Sequence, residues 1–249
     1  MKMKKIAAIV LSVALSAASV MSVSAAATDG ILTVGTGKVV CIDAGHQAKA
    51  NSETEPIAPG STVTKAKVAG GTHGVVSGLT EAQLNLAVAL KLQAILEARG
   101  YTVVMCRTTN DVNISNAERA AIANANKADA FIRIHANGVA NSGASGVVAL
   151  APSASNPYCA GIAAQSQQLA QSVVNGQCAV TGQKNRGVSL DDTMSGINWS
   201  QVPVTILEIG FMTNPSEDLN MANADYQAGI ATGIANGLDV YFSNLVVTP

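Results

Sequence analysis

Short apolar segments alternate along this chain with longer segments of helical periodicity, and this alternation constrains its fold more than any other feature. The predicted strands cover residues 38–43, 101–106, 130–134, 146–150 and 202–208. Strands that alternate with helices favour parallel pairing, with helices packed on the sheet. We therefore predict an α/β fold: a single domain with a largely parallel twisted sheet and helices on both faces.

The helices between these strands have recognisable starts. Thr80 with Gln83, and Ser115 with Glu118, each form the capping box in which a hydroxyl side chain and a Glu or Gln three residues later satisfy backbone N–H groups. The first of these helices carries an apolar stripe and should stop at Gly100, a residue suited to the position after a helix. Further helices are predicted from about 160 to 174 and from about 226 to 242.

Residues 47–78 show neither the alternation of a strand nor the periodicity of a helix. They are polar and rich in Gly, Ser, Thr and Pro, which predicts a long ordered loop or lid. A loop of this length inside a compact domain is usually functional.

The N-terminus has the composition of a secretory signal peptide. Three lysines precede an apolar run that ends in small residues suited to cleavage near Ala25. The alternative is a membrane anchor, which the run disfavours because it is shorter than the roughly 20 apolar residues that span a bilayer. We therefore predict a signal peptide over residues 1–25 and a catalytic domain over 26–249, with the mature protein secreted and free of the membrane.

The charge of the chain does not favour binding to nucleic acid. The formal net charge of −1 becomes about −4 once the three signal-peptide lysines are removed, and no basic stripe is present, so a nucleic-acid partner is not expected. The oligomeric state is open, with a monomer favoured.

The four cysteines do not by themselves indicate disulfides. Cys41 and Cys106 lie in apolar strands and are interpreted as buried free thiols. A helix between Cys159 and Cys178 would keep those two too far apart for a disulfide.

Polar residues follow several of the predicted strands, at the edge where ligands bind in such folds. His46 follows the first strand, His135 follows the third, and Glu208 ends the strand at 202–208. Glu81 opens a helix whose start should lie on the same side of the sheet. Side chains able to bind a metal or to work beside one are thus expected at a single edge.

Zinc chemistry explains why these residue types matter together. A catalytic zinc takes three protein ligands and leaves one position for water, and two His with one Glu is a known set. A further carboxylate must accept a proton from water and pass it to the leaving nitrogen. Glu208 fits that role, since an apolar strand would raise the pKa of its carboxyl.

Each residue also has a structural interpretation. A single His after a strand is more often structural than a ligand, although two of the three histidines in this chain lie in such positions. Glu81 alone would be read as a carboxylate stabilised by the helix dipole. Spacing does not decide between these alternatives, because no compact metal-binding motif such as H-E-x-x-H is present.

A family resemblance favours the metal site. The matching segments run in order through most of the chain: Ile42-Asp43-Ala44-Gly45-His46, Leu79-Thr80-Glu81-Ala82-Gln83-Leu84-Asn85-Leu86, Arg107 with Asp111 and Glu118-Arg119, Ile132-Arg133-Ile134-His135-Ala136-Asn137, and Val204-Thr205-Ile206-Leu207-Glu208-Ile209-Gly210-Phe211-Met212-Thr213-Asn214. Together they resemble the zinc-dependent N-acetylmuramoyl-L-alanine amidases of the sporulation and cell-separation type. The resemblance implies that His46, Glu81 and His135 bind Zn²⁺ and that Glu208 is catalytic. It also implies a peptidoglycan substrate in the cell wall, cleaved between N-acetylmuramic acid and L-alanine.

Other positions have weaker assignments. His46 is followed by Gln47 and Ala48, where the family often has His-Gly-Gly. His73 could approach the metal or the substrate, but a solvated loop histidine is favoured. Asn137 and Arg133 are candidate substrate contacts, and Trp199 either stacks on a sugar or packs in the core.

Two rival functions use the same features. A zinc peptidase or carboxypeptidase acting on stem peptides could use the same ligand set, with an arginine such as Arg133 as a carboxylate clamp. An inactive wall-binding module could keep the fold without the chemistry. The presence of Glu208 disfavours this second rival, because loss of the base would be the simplest route to inactivity.

Overall fold

The coordinates are those of a computed structural model, and they describe residues 35–246. The predicted signal peptide at residues 1–25 therefore lies outside the described residues. Of the helices within residues 35–246, none combines the length and the apolar character needed to cross a bilayer.

The central sheet has the predicted α/β organisation. Its strands are β1 (Val39–Ala44), β4 (Thr102–Met105), β5 (Ala130–Asn137), β6 (Val147–Ala151), β7 (Asn185–Leu190) and β8 (Val204–Phe211). They lie in the order β4-β1-β5-β8-β6-β7, and every neighbouring pair is parallel except β6 with β8. The fold class is confirmed. β7 was not predicted, since much of it is exposed and polar.

Helices cover both faces of the sheet. They are α1 (Glu81–Ala98), α2 (Asn116–Ala125), α3 (Ala163–Thr181), α4 (Ser195–Asn198), α5 (Pro215–Ala222) and α6 (Ala224–Val246). Both predicted capping boxes are present, at Thr80 for α1 and at Ser115 for α2. The short helices α4 and α5 were not predicted, because segments this short carry too little periodicity.

The segment predicted as a loop or lid contains a β-hairpin instead. Its strands are β2 (Asn51–Pro56) and β3 (Thr64–Val68), which pair antiparallel as a separate two-stranded sheet. Most of their side chains are polar and exposed, so the alternation of apolar and polar residues that identifies a strand is missing.

Side chains on β5 alternate between two sides of the sheet. Ile132 and Ile134 belong to the large apolar core beneath α1, α3 and α6, whereas Phe131 belongs to a smaller cluster with residues of α2 and α4. Each fully buried side chain of this kind contributes about 1.5–3 kcal/mol. Arg133 and His135 follow Phe131 in alternation, so they project on the side of the smaller cluster.

Candidate metal centre

Three side chains converge where β1, β5 and α1 meet. The distance from His46 Nε2 to Glu81 Oε1 is 3.0 Å, and His135 Nδ1 lies 3.1 Å from the same oxygen. The two ring nitrogens, His135 Nδ1 and His46 Nε2, are 3.2 Å apart. Ligand atoms around a tetrahedral zinc with bonds of about 2.0–2.1 Å would lie about 3.4 Å from one another. The spacing therefore fits one metal ion with these three ligands.

The backbone around the cluster orients each ligand. His46 Nδ1 lies 2.8 Å from the carbonyl oxygen of Ala69 and must donate to it, which leaves a lone pair on Nε2 for a metal. Glu81 is the first residue of α1, and its Oε2 accepts from the N–H of Thr72 at 2.9 Å. His135 Nε2 is buried and has no hydrogen-bond partner within residues 35–246. Its Nδ1, in contrast, faces His46 Nε2 and Glu81 Oε1, as a nitrogen that shares a metal ion with them must.

Electrostatics in the cluster favour an ionised carboxylate. Burial alone would raise the pKa of Glu81, but hydrogen bonds and charge from His135 and His46 outweigh it and keep the pKa well below its usual range. Burial lowers the pKa of His135, which favours its neutral form. Burial would also lower the pKa of His46, but the hydrogen bond and charge of Glu81 outweigh it and raise that pKa. A divalent cation requires neutral imidazoles, so it would have to displace a proton from His46 when that ring is protonated.

Glu208 lies beside the cluster without belonging to it. In the register of β5 and β8 it is directly opposite His135, yet the group able to hold a metal comprises His46, Glu81 and His135 only, among the described residues. Burial and the negative charge of Glu81 raise the pKa of Glu208 to about 8. A carboxyl group in this environment is suited to exchanging protons near neutral pH.

Two cavities meet at the metal centre. One, of about 450 Å³, runs under the β2–β3 hairpin and is lined by Arg133, Met194 and Ile206 among others. The other, of about 630 Å³, is lined by the glycine-rich segment before α1 and by His73 and Asn137. His46, His135 and Glu208 line both cavities. An extended substrate can therefore cross the centre with a part on each side.

Comparison with known proteins agrees with this geometry. The model of the family described as N-acetylmuramoyl-L-alanine amidase matches residues 40–240, which contain all four residues of the centre. The chain belongs to the N-acetylmuramoyl-L-alanine amidase family.

Individual members of the amidase family are similar over most of this chain. N-acetylmuramoyl-L-alanine amidase Rv3717 of Mycobacterium tuberculosis is 28% identical over 235 residues, covering 92% of this chain and 95% of that protein. N-acetylmuramoyl-L-alanine amidase LytC of Bacillus subtilis is 32% identical over 168 residues, covering 67% of this chain but only 32% of LytC. The crystal structure of the amidase Ami1 from Mycobacterium smegmatis superposes with a TM-score of 0.76 at 25% identity, covering 84% of this chain and 99% of Ami1.

Two buried arginines, whose role sequence reasoning missed, brace the loop that carries His46. Arg107 donates to the carbonyl oxygens of Ala44 and Gly45 at 2.6 and 2.9 Å, and Arg119 donates to the carbonyl of His46 at 3.0 Å. His46 needs this support because its φ of 60° is unusual for a residue other than glycine. Both arginines were among the matching segments of the family resemblance, but their type alone did not reveal that they bind backbone carbonyls.

The weaker predictions have different outcomes. His73 is exposed and lines the 630 Å³ cavity, outside the cluster formed by His46, Glu81 and His135. A contact between His73 and the substrate stays a prediction. Trp199 packs against the smaller apolar cluster, and its Nε1 donates to the carbonyl of Pro56 on the hairpin at 2.8 Å. Cys41, Cys106, Cys159 and Cys178 are free thiols, the first two buried as predicted.

Gly45 gives a first test of the centre. A Cβ at this position would overlap Cε1 and Nε2 of the His135 ring, so Gly45→Ala should displace that ligand. We expect zinc affinity to fall about 10- to 100-fold, the range seen when the support of a ligand is lost. Isothermal titration with Zn²⁺ measures this change. Gly70→Ala is the matched control, because a Cβ there would meet only Ala50 at 4.0 Å, and an equal loss in both variants would contradict the argument.

Asp43 gives a second test, of stability. Burial alone would raise its pKa, but Arg119 and Arg133, at 2.6 and 2.9 Å, outweigh burial and keep the pKa far below its usual range. The ion pairs therefore stabilise the fold above about pH 4, and this stabilisation is lost as pH falls towards the folded-state pKa. At pH 7, Asp43→Asn should lower the free energy of unfolding by about 3–5 kcal/mol, since it leaves buried charge uncompensated.

Urea denaturation at pH 7 and at pH 3 checks this prediction. The wild-type chain should lose more stability between the two pH values than the Asp43→Asn variant. Asp191→Asn, a change at a site without an ion pair among the described residues, serves as the control. An Asp43→Asn variant as stable as the wild type at pH 7 would contradict the assignment.

Proposed function

We propose that this chain is a zinc-dependent hydrolase that cleaves the amide bond between N-acetylmuramic acid and the L-alanine of the peptidoglycan stem peptide. The observation that carries the proposal is the His46–Glu81–His135 cluster, with ligand atoms 3.0–3.2 Å apart and Glu208 beside them. Family membership supports the choice of bond, because the matched family is described by that activity.

Zinc is the proposed metal because two imidazoles and one carboxylate form a set that it prefers. When bound, zinc supplies Lewis acidity that polarises a carbonyl and makes water a better nucleophile. His46 and His135 contribute neutral nitrogen donors, and Glu81 offsets one positive charge. The N–H groups of Thr72 and Ala136 hold the Glu81 carboxylate in place at 2.9 and 3.1 Å.

Glu208 is proposed as the general base and then the general acid. Its carboxylate would take a proton from the attacking water and deliver that proton to the nitrogen of L-alanine as the C–N bond breaks. No hydrogen bond within residues 35–246 engages its side chain, so the carboxylate is available for this transfer. Asn137 lines the cavity on the side of the glycine-rich segment and is proposed as a substrate contact.

The proposed place of action is outside the cytoplasm, at the cell wall. The basic and apolar segment at residues 1–25 supports a secretory signal. Detection of a mature chain beginning near Ala26 in the culture medium or the wall fraction would test this proposal, and retention of the full chain in the cytoplasm would contradict it.

Digestion of purified peptidoglycan tests the reaction itself. An amidase should release free L-alanine amino groups and leave the glycan strands intact, which end-group labelling and mass spectrometry measure. Trimmed stem peptides still attached to muramic acid would indicate a peptidase instead. Binding to the wall without any product would indicate an inactive wall-binding module.

A further inference from the structure

Arg133 is a buried cation with unused hydrogen-bonding capacity. Its side chain donates from Nε to Asp43 at 2.9 Å and from Nη2 to Asn116 at 2.7 Å. Within residues 35–246, no acceptor is bonded to Nη1, although the residue is only 2% exposed. Arg133 lines the 450 Å³ cavity that also contains Glu208. Nη1 is not one of the enclosed polar atoms that lack a partner, so it reaches the open space of this cavity. An acceptor from outside the chain can therefore bind there.

The charge balance around Arg133 favours an anionic acceptor. Asp43 is fully buried and is shared between Arg119 and Arg133, so one carboxylate faces two guanidinium groups. Together, these three side chains keep a net positive charge in a poorly hydrated place, where an unpaired charge is costly. A carboxylate matches a guanidinium edge better than a neutral carbonyl does.

A glycine makes room for this guanidinium beside the cavity. Gly196, in α4, lies against Arg133, and a Cβ at that position would overlap Nη1. Aliphatic side chains of Leu150, Met194 and Ile206 line the same cavity. Arg133 thus offers a buried cationic contact beside apolar walls, which suits a short aliphatic segment that carries a carboxylate.

The position of Arg133 relates this contact to the scissile bond. Residues 133 and 135 lie on the same side of β5, about 7 Å apart along the strand. A substrate whose carbonyl lies at the metal centre would therefore place a group about one residue further on against Arg133. That group must belong to the peptide, because the lactyl carboxyl of muramic acid is consumed in the scissile amide.

We propose that Arg133 is a specificity-determining residue that binds a free carboxylate on the residue that follows L-alanine in the stem peptide. This inference rests on the proposed amidase function and adds a preference within it. Lys65 is the other cation lining this cavity, but its Nζ donates to the carbonyl oxygen of Thr193 at 2.8 Å and its side chain is exposed. Lys65 is therefore expected to contribute little to the preference.

A pair of synthetic substrates tests the proposal. Both contain N-acetylmuramoyl-L-alanine joined to D-glutamate whose γ-carboxyl is blocked as an amide, with the α-carboxylate free in one and amidated in the other. The zinc-loaded wild-type enzyme should cleave the free acid with a kcat/KM at least about tenfold higher, as expected for a charge-assisted hydrogen bond in a partly buried site. Equal rates for the two substrates would overturn the inference while leaving the amidase function intact. Cleavage of neither would contradict the proposed function, and this inference with it.

Variants assign the preference to a residue. In Arg133→Gln the ratio of the two kcat/KM values should fall to about 1, whereas Lys65→Gln should keep the wild-type ratio. A purely structural role for Arg133 would lower both rates together and leave the ratio unchanged, which would overturn the proposal. If Arg133→Gln does not fold, Arg133→Lys replaces it, and the ratio should drop because an ammonium lacks the planar edge that meets a carboxylate.

Discussion

Glu208→Gln is expected to lower kcat by about 10²- to 10⁴-fold on purified peptidoglycan, the range attributed to general acid–base catalysis. The amide is similar in size to the carboxylate but cannot take a proton from water. Zinc content should stay at one ion per chain, because Glu208 lies outside the group formed by His46, Glu81 and His135. Metal analysis by mass spectrometry and an amino-group release assay measure both quantities.

The pH dependence gives an independent check on Glu208. As a base, this carboxylate works when ionised, so activity should decline as pH falls and the group takes up a proton. Burial and Glu81 raise its pKa to about 8, and a bound dication would lower the pKa again. The acidic limb of the wild-type profile should disappear from the residual activity of Glu208→Gln. Glu53→Gln, at an exposed carboxylate of β2, should keep the wild-type profile.

Loss of zinc in the Glu208→Gln variant would contradict the assignment. It would move Glu208 into the ligand set and leave the base unidentified. Full activity with zinc retained would assign the proton transfer to another group.

His135→Ala is expected to have the second large effect, on metal binding. Apparent zinc binding energies of roughly 10–16 kcal/mol over four ligands give about 3 kcal/mol for each ligand. Zinc affinity should therefore fall more than about a hundredfold, with activity lost at micromolar zinc. In the wild type, dialysis against a chelator should abolish activity and added Zn²⁺ should restore it.

The third histidine provides the matched control. His73 lines the 630 Å³ cavity but is exposed and lies outside the metal cluster, so His73→Ala should bind zinc as the wild type does. Equal zinc loss in both variants would mean that the ligand set is different. Retained zinc in His135→Ala would contradict the metal centre as described.

The amino-acid sequence alone determined the α/β class and the positions of most strands in the central sheet. It did so because apolar runs and capping boxes are local patterns: Thr80 with Gln83 and Ser115 with Glu118 mark α1 and α2 without reference to distant residues. It also indicated His46, His135 and Glu208 as candidates, because polar residues at strand ends are conspicuous beside apolar neighbours. Glu81 depended more on the family resemblance, since a glutamate in a first helical turn is common.

Only the tertiary structure decided what these side chains do together. His46 and His135 are 89 residues apart in sequence, and their ring nitrogens are 3.2 Å apart because β1 and β5 pair in the sheet. The β2–β3 hairpin, the brace formed by Arg107 and Arg119, and the unpaired Nη1 of Arg133 were likewise absent from any local pattern. The physical reason is that a local pattern records how one segment meets the core or solvent. Metal coordination and buried charge pairing depend on distances between segments, which exist only once the chain has folded.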